Sequence, residues 1–146
     1  MEPLSDRLVS LIEEYTEKLL QLSEDEVAYK PNSKKWSKKE YLGHLMDSAT
    51  NNHQRFVRGQ LYDQSVFPGY DQPLWVEVHK YQSIEWTELV LNWKTFNMFL
   101  SKVIANMNQN SLSNTLTVGE SKSLTLQSVI EGYIDHMENH LKDVFG

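Results

Sequence analysis

The chain has 146 residues, of which 40% are hydrophobic, 23% charged and 11% aromatic, a composition typical of one globular domain. Its 14 Lys and Arg residues and 20 Asp and Glu residues give a net charge of -6, which argues against nucleic acid or an anionic membrane as the main partner. No apolar run is long enough for a membrane span or a signal peptide. We therefore expect a single domain over residues 1–146, starting at Met1 and cytoplasmic.

The chain contains no cysteine. This excludes disulfides, thiolate nucleophiles, iron–sulfur clusters and zinc sites built on cysteine. Any metal ion must therefore be bound by His, Asp or Glu, and the five histidines are the first candidates.

The first half of the chain predicts two amphipathic helices. Apolar residues recur every three or four positions in a first helix that should end before Pro31. Ser37 and Glu40 form the capping-box pattern, which predicts a second helix from here to about Leu61. The stretch 63–83 is rich in proline and aromatic residues, and it predicts an ordered loop or a short turn.

The second half predicts two more helices. Ser83 is the expected cap of a heavily buried third helix that reaches Met107, and the last helix should run from about Leu126 to Val144. Between them, residues 114–123 predict a short extended segment or hairpin. Four helices of about 20 residues predict an all-α four-helix bundle, a fold that often builds a metal or ligand site from facing side chains.

His136 and His140 lie four residues apart on the last predicted helix, so they share a face and can bind one metal ion. The pattern is not H-E-x-x-H, because Met137 follows His136 and Glu138 is turned to the far side of the helix. By itself, the pair is equally typical of two exposed or hydrogen-bonded histidines. Its position at the edge of the helix's apolar arc favours a site with one side open to solvent.

The second predicted helix carries a polar stripe on one side. The stripe consists of His44, Asp47, Ser48, Asn51, Arg55 and Arg58. Most such stripes are solvated surfaces; the alternative is a cleft wall with one metal ligand and several groups that bind substrate. Asp47 is then a candidate acceptor for the ring N–H of a ligand histidine, or simply a charge on the helix surface.

The two remaining histidines have other expected roles. His53 falls within the apolar arc of the second helix, which predicts a buried, hydrogen-bonded or interface histidine. His79 lies in the aromatic loop without a partner at a metal-ligand spacing, which predicts a structural or surface residue.

The segment 36–48 begins W-S-x-x-E-x-x-x-H-L-x-D and is followed about ninety residues later by His136-x-x-x-His140. This combination resembles the DinB-like superfamily, which includes thiol-dependent transferases. The resemblance implies a four-helix bundle that binds a divalent metal ion, commonly nickel or zinc, through His44, His136 and His140. Only the pairing of His136 with His140 follows from spacing, and imidazole ligands alone do not select between zinc, nickel, copper and iron.

Three functions are compatible with such a site. The first is transfer of a low-molecular-weight thiol, such as bacillithiol, to an electrophilic small molecule, with Asn51, Arg55 and Arg58 binding carboxylates or hydroxyls of that thiol. The second is hydrolysis by metal-bound hydroxide, and the third is non-catalytic binding of a metal ion or small molecule. The resemblance also implies a homodimer, for which the aromatic residues of the stretch 67–81 are a candidate contact.

Overall fold

The computed structural model describes residues 2–146 and contains six α-helices. These are α1 (Glu2–Leu20), α2 (Glu24–Ala28), α3 (Lys38–Arg58), α4 (Gln72–His79), α5 (Trp86–Ala105) and α6 (Leu126–Phe145). The four long helices form a bundle in which α5 packs on α1 and α3, and α6 packs on α3 and α1. The predicted four-helix bundle is therefore confirmed, and α3 and α6, which carry the candidate histidines, are neighbours.

The long helices bury the apolar faces that their periodicity predicts. Leu8, Ile12, Trp93, Ile130 and Ile134 are fully buried in the common core. The last helix begins at the predicted residue and ends one residue beyond Val144. Burial of these faces supplies most of the stability of a bundle, since most helical stability in proteins comes from the packing of an amphipathic face rather than from helix propensity.

Helix α3 begins where the capping box predicts. The Ser37 hydroxyl accepts a hydrogen bond from the Glu40 N–H, and the Glu40 carboxylate accepts one from the Ser37 N–H. Both groups thus satisfy backbone donors that the first turn of a helix leaves without partners. The helix ends at Arg58, three residues before the predicted Leu61.

A three-stranded sheet lies beside the bundle, with strands β1 (Gln64–Phe67), β2 (Thr115–Val118) and β3 (Leu124–Thr125) in the order β1-β2-β3. Strands β2 and β3 are antiparallel and form the predicted extended segment before the last helix. Strand β1 pairs in parallel with β2. The sequence does not reveal this pairing, because it joins segments on opposite sides of α4 and α5.

Three predictions of local structure need correction. The first helix breaks at Leu20, and a separate short helix, α2, follows. The stretch 63–83 contains β1, α4 and a 3-10 turn (Tyr81–Ser83) rather than only a loop. Finally, Ser83 does not cap the third helix.

The N-cap of α5 is Glu85, whose side chain makes no capping bond. The Trp86 N–H instead donates to the carboxylate of Glu24 at 2.6 Å. The acceptor of this N–H thus belongs to α2, which is distant from α5 in the sequence. A local sequence motif cannot predict such a contact.

None of the helices within residues 2–146 is long and apolar enough to cross a membrane.

Candidate metal centre

The structure brings His44, His136 and His140 together at the interface of α3 and α6. One nitrogen atom from each of the three imidazoles lies within 4.8 Å of the other two. The Nε2 atoms of His136 and His140 are 2.9 Å apart, and the His44 ring centroid lies 5.5 Å and 5.0 Å from those of His136 and His140. Two ligands at about 2.1 Å from one ion are separated by about 3.0–3.4 Å, depending on the angle at the ion, so a small adjustment of the rings would let both bind one metal ion.

The environment keeps these imidazoles in the neutral form that binds metal ions. Burial, and secondarily the two neighbouring histidines, lowers the pKa of His44 to about 4. Burial also lowers the pKa of His136 and of His140, and in His140 the nearby Asp143 opposes the effect.

Two nitrogen atoms of the cluster are buried without a partner among the described residues. Nδ1 of His44 and Nδ1 of His140 are buried and have no hydrogen-bond partner within residues 2–146. An unpaired buried imidazole nitrogen costs free energy, so this cluster destabilises the fold of the chain alone. A donor set of three neutral imidazoles is well suited to a divalent ion such as zinc or nickel.

Aromatic rings enclose one side of the histidine cluster. The Trp36 ring lies 5.0 Å from the ring of His44, and the Tyr41 ring lies 5.9 Å from that of His140, measured between centroids. Trp36 also meets Tyr41 edge-on at 5.3 Å. These rings therefore cover the histidine cluster on the side where α3 begins.

Asp47, one turn after His44, is bound to groups outside the histidine cluster. Its Oδ1 accepts a hydrogen bond from the Tyr81 hydroxyl at 2.6 Å and lies 3.2 Å from Nδ1 of His79. Its Oδ2 is buried and has no partner among the described residues. Burial raises the pKa of Asp47, while the bond from Tyr81 and the proximity of His79 lower it. The structure contains no bond from a histidine of the cluster to Asp47 within residues 2–146.

Gly43 explains how Tyr81 reaches Asp47. A Cβ atom built on Gly43 would lie 2.1 Å from the Tyr81 ring, so the ring packs directly on the backbone of α3. Only glycine permits so close an approach at this helical position.

A cavity of about 570 Å³ begins at His136 and follows the groove between α3 and α6. Helix α3 contributes Ser48, Asn52 and Arg55, and α6 contributes Ser128, Val129, Gly132 and Tyr133; the turns that follow β1 and β2 line the far end. The volume is that of a small-molecule site. Of the three clustered histidines, His136 lines this space, which can hold a substrate.

The polar stripe of α3 divides between two environments. Arg55 lines the cavity that contains His136, together with Tyr70 from the turn after β1. Asn51 and Arg58 instead line a smaller groove of about 200 Å³ that Arg55 also borders. The amide of Asn51 donates to the Asp47 carbonyl, and the exposed Arg58 donates to Gln54. Substrate binding by Asn51 and Arg58 stays a prediction.

The other two histidines lie outside the cluster. His53 is half-buried and meets Phe96 and Phe99 at 5.8 Å and 5.5 Å between ring centroids. His79 is exposed, and its ring stacks on Tyr81 at 4.9 Å. On α6, Glu138 is bound by Arg7 of α1, so it faces away from the cluster as the helical phase predicts.

Tyr70 and Gly132 are cavity residues that the sequence did not indicate. Tyr70 belongs to a turn whose position depends on the β1–β2 pairing. Gly132 is a single glycine within a helical pattern, which costs about 1 kcal/mol relative to alanine; that cost is the signal that could have pointed to it.

Facing histidines on neighbouring helices, beside a small-molecule cavity, define a helical bundle with a candidate metal centre. The model of the DinB superfamily matches residues 8–144, and the chain belongs to that superfamily.

The fold is similar to that of two solved proteins from Bacillus subtilis. YfiT, described as a probable metal-dependent hydrolase with an unusual four-helix bundle topology, shares 16% identity and has a TM-score of 0.82, with 97% of this chain and 83% of YfiT covered. The DinB-like protein YjoA shares 14% identity and has a TM-score of 0.60, with 98% and 88% covered. A search of curated proteins found no match.

Proposed function

We propose that this protein binds a divalent metal ion, nickel or zinc, through His44, His136 and His140. We propose further that it transfers a low-molecular-weight thiol, such as bacillithiol, to an electrophilic small molecule. The observation that supports this function best is the meeting of three imidazoles, one of which (His136) lines a small-molecule cavity, in a chain with no cysteine. The reacting sulfur must then come from the cosubstrate.

When bound, the ion would supply Lewis acidity, which lowers the pKa of a coordinated thiol or water. The three imidazoles bring no negative charge to the site, so the ion would keep its full attraction for an anionic sulfur. Trp36 and Tyr41 cover one side of the cluster, and the cavity beside His136 would hold the thiol on the other. The protein thus positions the cosubstrate, while the electrophile enters from the open side of the groove.

The metal site is tested by elemental analysis of protein purified without an affinity tag. We expect close to one divalent ion per chain, and we expect His136→Ala and His140→Ala to abolish its retention because each removes one of three ligands. His53→Ala is the matched control, since it removes a histidine of α3 that lies outside the cluster. Retention of the ion by both cluster variants would show that the site is elsewhere.

Thiol transfer is tested with the metal-loaded protein, bacillithiol and other small thiols, and a chromogenic electrophile. The proposal predicts conjugation that stops on chelation, returns with the ion, and is lost in His136→Ala but kept in His53→Ala. A metal-loaded protein that accelerates conjugation with none of the thiols would contradict it.

Metal-dependent hydrolysis is the second candidate, because YfiT is described as a probable metal-dependent hydrolase and three imidazoles can also activate water. Ester or amide cleavage by the metal-loaded protein without thiol would favour this function. Tight retention of the ion without either activity would favour a binding protein.

A further inference from the structure

His79, which lies outside the histidine cluster, has a fixed tautomer. Its Nδ1 lies 2.9 Å from the Trp75 carbonyl oxygen and 3.2 Å from Oδ1 of Asp47. A backbone carbonyl can only accept a hydrogen bond, so the single ring proton of the neutral imidazole is on Nδ1. Nε2 then carries a free lone pair, and no hydrogen bond joins it to another residue within residues 2–146. The ring therefore presents a hydrogen-bond acceptor to the outside of the protein.

The neighbours of the His79 ring hold it in place. Asp47 is only 2% exposed, and its Oδ1 also accepts a hydrogen bond from the hydroxyl of the buried Tyr81. The Tyr81 ring stacks on that of His79 at 4.9 Å between centroids. Lys80, between the two, adopts the left-handed backbone conformation with φ 55°, which is strained for a residue with a side chain. This strained turn lets the side chains on both sides of it reach the same carboxylate.

An apolar pocket of about 340 Å³ lies beside the His79 ring. Its other walls are Leu74, Trp75 and Val78 of α4, and no Asp, Glu, Lys or Arg lines it among the described residues. The Nε2–Cδ2 edge of an imidazole lies opposite Nδ1, so it is the edge left for a ligand. Apolar walls with one polar atom of defined role are typical of a small-molecule site.

We propose that this pocket binds a small, uncharged phenol, whose hydroxyl donates a hydrogen bond to Nε2 of His79. A charged ligand would lose hydration without meeting an opposite charge among the pocket residues. A phenol fits better than an aliphatic alcohol because its flat ring can pack on the indole of Trp75 and because its hydroxyl is the more acidic donor. The site is separate from the histidine cluster and does not depend on the proposed function.

The tautomer is tested by long-range ¹H–¹⁵N NMR spectra of the ¹⁵N-labelled protein at about pH 8, where an ordinary imidazole is neutral. The resonances of His79 are assigned by their absence from His79→Phe. We expect a proton on Nδ1 and none on Nε2, and we expect added phenol to shift the Nε2 resonance. A proton on Nε2 would overturn the proposal, because this atom could not then accept a hydrogen bond.

The hydrogen bond is tested by titration with phenol and with anisole, in which a methyl group replaces the hydroxyl hydrogen. We expect phenol to bind with a Kd of about 1 mM and anisole to bind about fivefold or more weakly. His79→Phe keeps a ring to stack on Tyr81 but removes the acceptor, so it should lose about the same factor for phenol. His53→Phe changes the other histidine that packs on aromatic rings, and it should stay within about twofold of the natural protein.

The apolar wall is tested by Val78→Ser, with Val66→Ser as the matched control. Val78 is 68% exposed and Val66 is 80% exposed, so neither change disturbs the core, and only Val78 lines the pocket. We expect Val78→Ser to weaken phenol binding by about threefold or more and Val66→Ser to leave it unchanged.

The proposal is overturned if phenol does not bind below about 10 mM, if anisole binds as tightly as phenol, or if His79→Phe or Val78→Ser keeps the affinity of the natural protein. A dimer in sedimentation experiments that Val78→Ser dissociates would show that a second copy covers the pocket, which also contradicts a small-molecule site. Chelation of metal ions should leave the Kd for phenol unchanged, and its loss would place the phenol at the histidine cluster instead. Failure of metal binding or of thiol transfer would refute the proposed function without affecting these results.

Discussion

At the scale of single residues, burial of His44 links the candidate site to stability. His44 is only 1% exposed, and protonation would place a positive charge among two other imidazoles in an environment with little water. The unfolded chain, whose histidines have a pKa near 6.5, binds these protons more readily. The contribution of neutral His44 to the free energy of unfolding is therefore fully present above about pH 6.5. It is lost as the pH decreases toward 4.

This pH dependence can be measured by urea unfolding of the metal-free protein. For His44 alone, the loss amounts to at most about 3 kcal/mol between pH 6.5 and pH 4. His44→Gln should show a weaker pH dependence over the same range because it has no proton to gain. An equal slope in both proteins would mean that other groups account for the acid sensitivity.

Single residues also differ in how well the sequence predicts their place in the site. The spacing of His136 and His140 placed both on one face, and the structure confirms that they meet. Only the family resemblance added His44, since helical phase cannot indicate which helices are neighbours. The partners of Asp47 could not be predicted either, because Tyr81 is distant from it in the sequence. The Tyr81 ring comes close enough to Asp47 only because Gly43 has no side chain.

At the scale of elements, α3 carries both the first histidine and Arg55, and Ser37 determines where this helix begins. The Ser37 hydroxyl accepts from the Glu40 N–H and donates to the side-chain carbonyl of Gln82. It therefore joins the start of α3 to the segment before α5. Any shift of this start would move His44, which lies two turns further along the helix.

We expect Ser37→Ala to lower the free energy of unfolding by about 1–2 kcal/mol, because it removes the cap and the bond to Gln82. The matched control is Ser23→Ala, which removes the same kind of capping box from the short, exposed helix α2 and should cost less. Chemical unfolding of both variants compares them directly. A larger loss in Ser23→Ala would show that α2, rather than the start of α3, limits stability.

Periodicity predicted the long helices well, and the capping box at Ser37 predicted the start of α3, since both signals are local. The β1–β2 pairing and the contact of Glu24 with Trp86 join distant parts of the chain, and no local pattern encodes them. The histidine cluster could thus be predicted in outline. The turns that form the far end of the cavity could not.

At the scale of the whole molecule, an ion held by His44, His136 and His140 would join α3 to α6 and bind only the folded chain. Binding to the folded state stabilises it by about 2.7 kcal/mol at a metal concentration one hundred times the Kd. For a protein of this size, that corresponds to an increase in Tm of roughly 5–10 °C.

Thermal unfolding with and without added nickel or zinc tests this expectation. His136→Ala should unfold at the same temperature in both conditions, while His53→Ala should respond as the natural protein does. A Tm increase that persists in His136→Ala would mean that the ions stabilise the protein from another site.

The parallel pairing of β1 with β2 also bears on the order of folding. Gln64 pairs with Thr115, and the Gly119 N–H donates to the Phe67 carbonyl, so the chain between these contacts, including α5, forms a long closed loop. Closing it costs conformational entropy that helix formation does not, and contacts between distant residues slow folding. Each helix that lines the cavity forms from local contacts, whereas the far end of the cavity depends on a pairing between distant segments of the chain.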